Sequence, residues 1–206
     1  MNFREPLLKP VAIAELRPTQ ITLGFHEVDQ KRKQFRDQNV ADGDAFLGRH
    51  MIPCVLGPKG RHYVIDNHHL ARALHEEGVE NVLVSVAADV SGLSKASFWT
   101  YLDNKSWCHP YDADGRRTGF DAIPTSIDKL HDDPYRSLAG DLRHAGGFAK
   151  DITPFSEFLW ADFLRGRIKA KAVHKDFAAA LKRAVTLAKS KDAGYLPGWC
   201  GADPIG

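Results

Sequence analysis

The chemistry-bearing residues of this chain gather in one run, Arg61-His62-Tyr63-Val64-Ile65-Asp66-Asn67-His68-His69-Leu70-Ala71-Arg72-Ala73-Leu74. An apolar stretch ends in an acid, an amide and two imidazoles, and a helical pattern begins there. A helix N-terminus leaves backbone N–H groups unpaired and turns the positive end of its dipole outward, so it attracts phosphate or carboxylate. His68 and His69 add donors at that place. Asp66 would repel an anion by itself, which leaves it a metal ion to hold or a cap to provide. On spacing alone both readings stand: a phosphate site, or a capping acid followed by two surface histidines.

The surrounding pattern predicts the elements that position this run. His62, Tyr63, Val64 and Ile65 are aromatic and β-branched types suited to a strand. Asp66 or Asn67 is the N-cap, and Leu70, Ala73 and Leu74 recur at the i, i+3, i+4 spacing of one buried helical face. Gly78 ends that helix, and Val82–Val86 reads as the next strand. Upstream, Ile52–Leu56 is a strand joined to the motif strand through Gly57-Pro58-Lys59-Gly60, a turn by composition. A charged helix is predicted around residues 27–36, with Glu27 and Lys31 one turn apart, and Asp29 and Lys33 likewise. As exposed pairs these would contribute roughly 0.2–0.5 kcal/mol each.

With 206 residues the chain can bury one full core, or one core and a companion lobe. Its net charge of +2 makes the whole molecule no strong attractor of DNA, so nucleic-acid binding would need a local patch. Three cysteines, Cys54, Cys108 and Cys200, with no CxxC pair, argue against a disulfide framework or a zinc ribbon. No run approaches the length of a membrane span and no apolar leader follows Met1, so a soluble cytoplasmic protein is expected.

A leading segment containing Pro10, then Arg17-Pro18-Thr19-Gln20, Gly24, Glu27 and Lys31, then Ile52-Pro53-Cys54-Val55-Leu56, Tyr63-Val64-Ile65-Asp66-Asn67-His68-His69 and Ala71-Arg72-Ala73-Leu74 stand in a telling order. It resembles the ParB/sulfiredoxin superfamily, and within it the ParB-like nuclease branch with an Asp-x-His-His motif. The core likeness runs over residues 7 to 90; Gly146–Lys150 and Phe155–Trp160 also look like that branch.

The resemblance implies an α+β fold: a compact ParB/sulfiredoxin-like domain with a small mixed sheet over residues 1–92, then a mainly helical lobe over 93–206 packed on it. It implies that the helix start binds nucleotide phosphates. Carried over by position, Asp66, His68 and His69 match the motif, and Glu27 matches the upstream catalytic or metal-binding acid. Lys31, Asn67 and Arg72 are the phosphate-binding candidates. Asp66 and Glu27 would hold Mg²⁺; ATP or ADP is a candidate substrate or ligand, and DNA a candidate partner. Glu27 would orient or deprotonate a water or hydroxyl, while His68 or His69 would stabilise phosphate oxygens or protonate the leaving group. The expected activity is that of a nuclease or nucleotide phosphohydrolase. The alternatives are a noncatalytic DNA- or nucleotide-binding module of the same fold and a small-molecule kinase.

Two positions depart from the pattern. Asn67 stands where many relatives have Gly, and Asn tolerates the left-handed backbone that Gly would supply. Leu70 stands where many have Arg, with Arg72 two residues further on and pointing elsewhere around the helix. A zinc site from His62, His68, His69 and His75 matches no familiar spacing.

The second half reads as helices around Ser94–Leu102, Pro124–Leu130, Asp133–Arg143, Phe155–Leu164 and Lys175–Lys189. Asp112–Gly115 reads as a turn rather than a calcium loop, and Gly146-Gly147 as a helix-ending turn. The last helix is expected to bury Phe177, Leu181, Val185 and Ala188. Lys182, Arg183 and Lys189 then fall on its other side, as either a solvated face or a contact for phosphates. Tyr195 and Trp199 are expected to tuck the tail onto the surface.

Overall fold

The structure, a computed structural model, describes residues 9–201, with side chains except at Lys9, residues 39–47 and Arg49. Residues 1–8, which hold the segment after Met1 and the start of the family likeness, lie outside the described residues. The chain divides into two compact units, residues 1–22 with 28–131, and residues 23–27 with 132–206.

The first unit is built on a four-stranded sheet in the order β1 (Lys9–Ala12), β5 (Asn81–Asp89), β3 (Ile52–Gly57), β4 (Arg61–Val64). The sheet is mixed. β1 runs antiparallel to β5, β3 parallel to β5 with Ile52 opposite Val84, and β3 antiparallel to β4 with Cys54 opposite Val64. The parallel pair needs a crossover, and α2 (His68–Glu76) supplies it between β4 and β5. The hairpin turn closes with Lys59 and Gly60 both at φ 65°, the left-handed region that glycine-rich turns use. α2 buries Leu70, Ala71, Ala73 and Leu74, the face its spacing predicts, and Gly78 at φ 74° follows its end.

The units divide elsewhere than at residues 92/93. α3 (Lys95–Asn104) and the loop after it share a core with the sheet: Phe98, Trp99, Leu102, Cys108 and Ile123 cluster with Ile21 and Val55. Tyr63 packs on both Phe98 and Trp99, with ring centroids 4.5 and 5.7 Å apart. Those aromatic contacts bind residues 95–123 to the sheet. Residues 124–130, read as a helix, contain only a single 3₁₀ turn, Ile127–Lys129.

β2 (Thr22–Leu23) and β6 (His131–Asp132) form a small second ladder. α1 spans Phe25–Arg49, well beyond the predicted helix. The second unit contains α4 (Pro134–His144), α5 (Ser156–Arg165), α6 (Ala170–Lys175) and α7 (Phe177–Ala188). Trp160 is fully buried there, stacked on Phe148 at 4.4 Å, with its Nε1 donating to Pro197 O at 2.9 Å.

Two expectations shift within this unit. α7 buries Ala180, Ala184 and Ala188, while Phe177, Leu181 and Val185 are only partly covered, because small side chains let α7 pack closely on its neighbours. The tail is held by Leu196 and by Trp199, whose Nε1 donates to Ala188 O, whereas Tyr195 is 73 % exposed. Among the described residues no helix is long and apolar enough to cross a membrane.

Candidate functional site

The motif opens α2 through an unusual turn. Asn67 adopts φ 62° and ψ 30°, the left-handed geometry expected of a residue standing in for Gly. Its own N–H donates to Asp66 Oδ1 at 2.7 Å, and its side-chain Nδ2 donates to Met51 O at 3.1 Å. The amide is therefore spent on β3's approach, and no side-chain hydrogen bond from Asn67 caps α2. Asp66 and Asn67 are exposed, His69 is half-buried and His68 is buried.

The two imidazoles are thus sorted by the fold. His68 points inward: its Nε2 accepts from the Thr19 N–H at 3.2 Å, and Thr19 Oγ1 donates to Val64 O at 2.7 Å. An Nε2 that accepts carries no proton, so in this geometry the ring is neutral with its proton on Nδ1. Thr19 is brought there because residues 17–20 run beside β4. Arg17 N donates to His62 O and Val64 N to Arg17 O, at 2.9 and 2.8 Å, and Arg17 Nη1 donates to Thr125 O. His69, the next residue, is half-buried.

Arg72 sits one turn further on and is committed to the protein. Its Nε donates to Glu76 Oε1 at 2.6 Å, and its Nη1 donates to Asp128 O at 2.6 Å and Ile127 O at 3.2 Å. That position fastens α2 to the 127–130 turn rather than to the opening of the helix. The other end of α2 is held by α1: Arg32 pairs with Glu77 at 2.7 Å and Glu76 at 3.0 Å, and Arg36 with Glu77 at 3.0 Å. Among the described residues the pairs expected within α1 are not the ones formed; Asp29 pairs with Arg32 at 3.3 Å. Lys31 is half-buried, one turn beyond Glu27 on α1.

Glu27 lies in the first turn of α1, within the second unit, and contacts from far along the chain set its place. Phe25 N donates to Asp132 Oδ1 at 2.8 Å, and Glu27 N lies 3.4 Å from the Ser137 Oγ that accepts its hydrogen bond. At Gly24 a Cβ would lie 2.4 Å from Ser137 N, and at Gly140 a Cβ would lie 3.2 Å from Glu27 Oε2. Only glycine permits so close an approach at residue 24. His26 Nε2 stands 3.5 Å from Asp141 Oδ2.

Below this turn lies Arg136, 5 % exposed, its guanidinium 3.4 Å from the centroid of the Phe158 ring. Burial pulls its pKa down, opposed by the negative charges of Glu157, Glu27, Asp133 and Asp162. Asp133 caps α4 by accepting from Tyr135 N at 3.0 Å and pairs with Arg165 at 2.5 Å. Burial still outweighs that pairing and pushes the Asp133 carboxyl up to about 6. Ser137, Asp132, Gly140 and Arg136 escape a sequence reading because they sit some 110 residues from the acid they surround; the Asp133-Pro134 helix start is their only local signal.

The chain carries candidates for holding a cation. Asp66 spends one oxygen on Asn67 N, and its exposed carboxylate suits the one or two carboxylates that Mg²⁺ takes beside phosphate oxygens. Among the described residues no three His, Cys, Asp or Glu side chains are grouped to hold a metal alone, so the four-histidine zinc idea has no cluster behind it.

Comparison with known proteins gives three results. The profile of a family described as "Putative ParB-like nuclease" matches residues 9–166. The crystal structure of protein Atu1540 from Agrobacterium tumefaciens is similar over 98 % of this chain and 100 % of that one, at 52 % identity and a TM-score of 0.91. The C-terminally truncated chromosome-partitioning protein ParB from Caulobacter crescentus, complexed with CTP-gamma-S, aligns over 90 % of this chain and 93 % of that one at 12 % identity. Its TM-score of 0.31 is too low to speak for this chain's fold. No protein of curated function matches.

Proposed function

The chain belongs to the "Putative ParB-like nuclease" family, and from that premise we propose a phosphate-handling enzyme, a nuclease or nucleotide phosphohydrolase, that receives its anionic group on the opening turn of α2. The observation that carries the proposal is the left-handed Asn67 turn, whose side chain leaves the helix start uncapped. A phosphate there meets the dipole end and first-turn N–H groups of α2.

The roles we assign draw on the family pattern and on the shape of the turn. Asn67 shapes the turn, His69 donates a proton to a phosphate oxygen or to the leaving group, and His68 is a positioning residue seated on Thr19. Asp66 is the cation ligand at the turn, and Mg²⁺, when bound, would neutralise charge on the transferred group. Glu27, aligned by the family pattern, orients or deprotonates the attacking water, and Lys31 adds a point charge for phosphate. Arg72 acts through the 127–130 turn. Positioning and charge neutralisation supply most of the rate in such chemistry.

The test is to incubate the full chain with ATP, ADP, plasmid and single-stranded DNA, with and without Mg²⁺, beside Glu27→Ala and His69→Ala. Metal-dependent release of phosphate or cut DNA that both substitutions abolish is the expected result. Product formation that neither changes, or nucleotide binding without any turnover, overturns it in favour of a contaminant or of a binding module.

A further inference from the structure

The largest charge imbalance of this chain lies away from the motif. Between Arg165 and Lys191 stand nine Lys or Arg and one acid, Asp176, in a protein whose net charge is +2. The turn after α5, α6 and α7 fold part of this stretch into a groove of about 500 Å³. Arg167, Lys169, Lys175 and Arg183 line it above a floor that includes Ala179 and Ala180.

Several arginines elsewhere in the chain are already engaged in ion pairs, Arg32, Arg36, Arg72, Arg117, Arg143 and Arg165 among them. The four groove cations make none among the described residues, and the only acid of the lining, Asp176, is spent capping α7 through Ala179 N at 2.9 Å. Two of the four are already held in place. Arg167 lies over the Phe163 ring at 3.8 Å and donates to Phe163 O at 3.2 Å, while Arg183 Nη2 donates to Arg167 O at 3.4 Å. Each guanidinium has five N–H donors, so one such bond leaves most of them for a ligand.

We propose that this groove binds an organic polyanion up to nucleotide size, with two or more phosphate or carboxylate groups on a carbon framework. The volume falls in the range of small-molecule sites. The alanines leave room for a carbon framework to lie close to α7, and the converging cations fix its charged groups. An ordinary solvated helix face is convex, and its cations diverge; here three successive chain segments turn theirs into one concavity. The proposal stands apart from the helix-start site, and either can fail without the other.

Calorimetric titration of the full chain with ATP, citrate and pyrophosphate tests it. The variants are Lys169→Gln/Arg183→Gln, Ala179→Leu, which fills the floor from an exposed position without altering charge, and His69→Gln as the control for the other site. ATP or citrate should bind saturably and more tightly than pyrophosphate. Affinity should fall roughly tenfold or more in both groove variants and persist in His69→Gln. ATP alone identifies a phosphate ligand, citrate alone a carboxylate. Absence of saturable binding, or binding abolished only by His69→Gln, overturns the proposal. So does binding that falls with the charge variant but ignores Ala179→Leu, the behaviour of a nucleic-acid strand drawn to the surface by charge.

Discussion

Two adjacent histidines of the same type are given different work by what surrounds them. His68 is buried with Nε2 accepting from Thr19 N–H, so it holds the 17–20 segment against the start of α2; His69 is half-buried. Replacing His68 by Ala should therefore lower stability by about 1–3 kcal/mol, because the Thr19 N–H loses its buried acceptor. His69→Ala should leave the denaturant midpoint nearly unchanged while lowering turnover by roughly 10²–10⁴. The reverse pattern, with His69→Ala unfolding the chain and His68→Ala sparing it, would refute the assignment. Asn67 offers a related check. At φ 62° a Cβ is strained, so Asn67→Ala should cost about 1 kcal/mol in urea unfolding while Asn67→Gly should cost less.

At the scale of elements, the start of α1 is set by a partner helix rather than by its own sequence. Gly24 allows the chain to touch the backbone of Ser137, and Asp132 and Ser137 accept the N–H groups of Phe25 and Glu27. Gly24→Ala should destabilise by roughly 1–3 kcal/mol or more, since its Cβ would meet backbone that has nowhere to go. A thermal melt of Gly24→Ala equal to wild type would show the approach is looser than described. Ser137→Ala, which removes a single long hydrogen bond, should cost less than the glycine change. α7 follows the same logic: its alanines form the buried spine, so Ala184→Leu should destabilise more than Lys182→Leu on the exposed side.

For the whole molecule, one buried carboxyl should leave a mark on stability against pH. Asp133, 2 % exposed, titrates at about 6 in the folded chain and near 3.9 when unfolded, so the folded state binds its proton more tightly. That contribution is fully present below about pH 4 and is lost as pH rises through 6, a loss on the order of 2–3 kcal/mol. Asp133→Asn should flatten this part of the profile relative to wild type, whatever its effect on stability overall. Parallel profiles from pH 4 to 7 in the two proteins would contradict it.

The family pattern, the α+β class, the strand–turn–strand–helix–strand order around residues 52–86 and the buried face of α2 are all legible in the chain itself. Each is written in local spacing, in β-branched runs, turn glycines and the i, i+3, i+4 rhythm, and such signals act over a few residues. What requires the tertiary structure is everything decided by residues distant in sequence. The Asp and His types at the motif suggest equal roles for the two imidazoles, yet Thr19, 49 residues earlier, turns one of them inward. Arg72 has the right type for phosphate, but the carbonyls of the 127–130 turn occupy it. A break near residue 92 fits the family resemblance, whereas Phe98 and Trp99 pack on Tyr63 and the first unit runs through to residue 131. Long-range packing chooses which of several locally acceptable arrangements is kept, and no spacing along the chain records that choice.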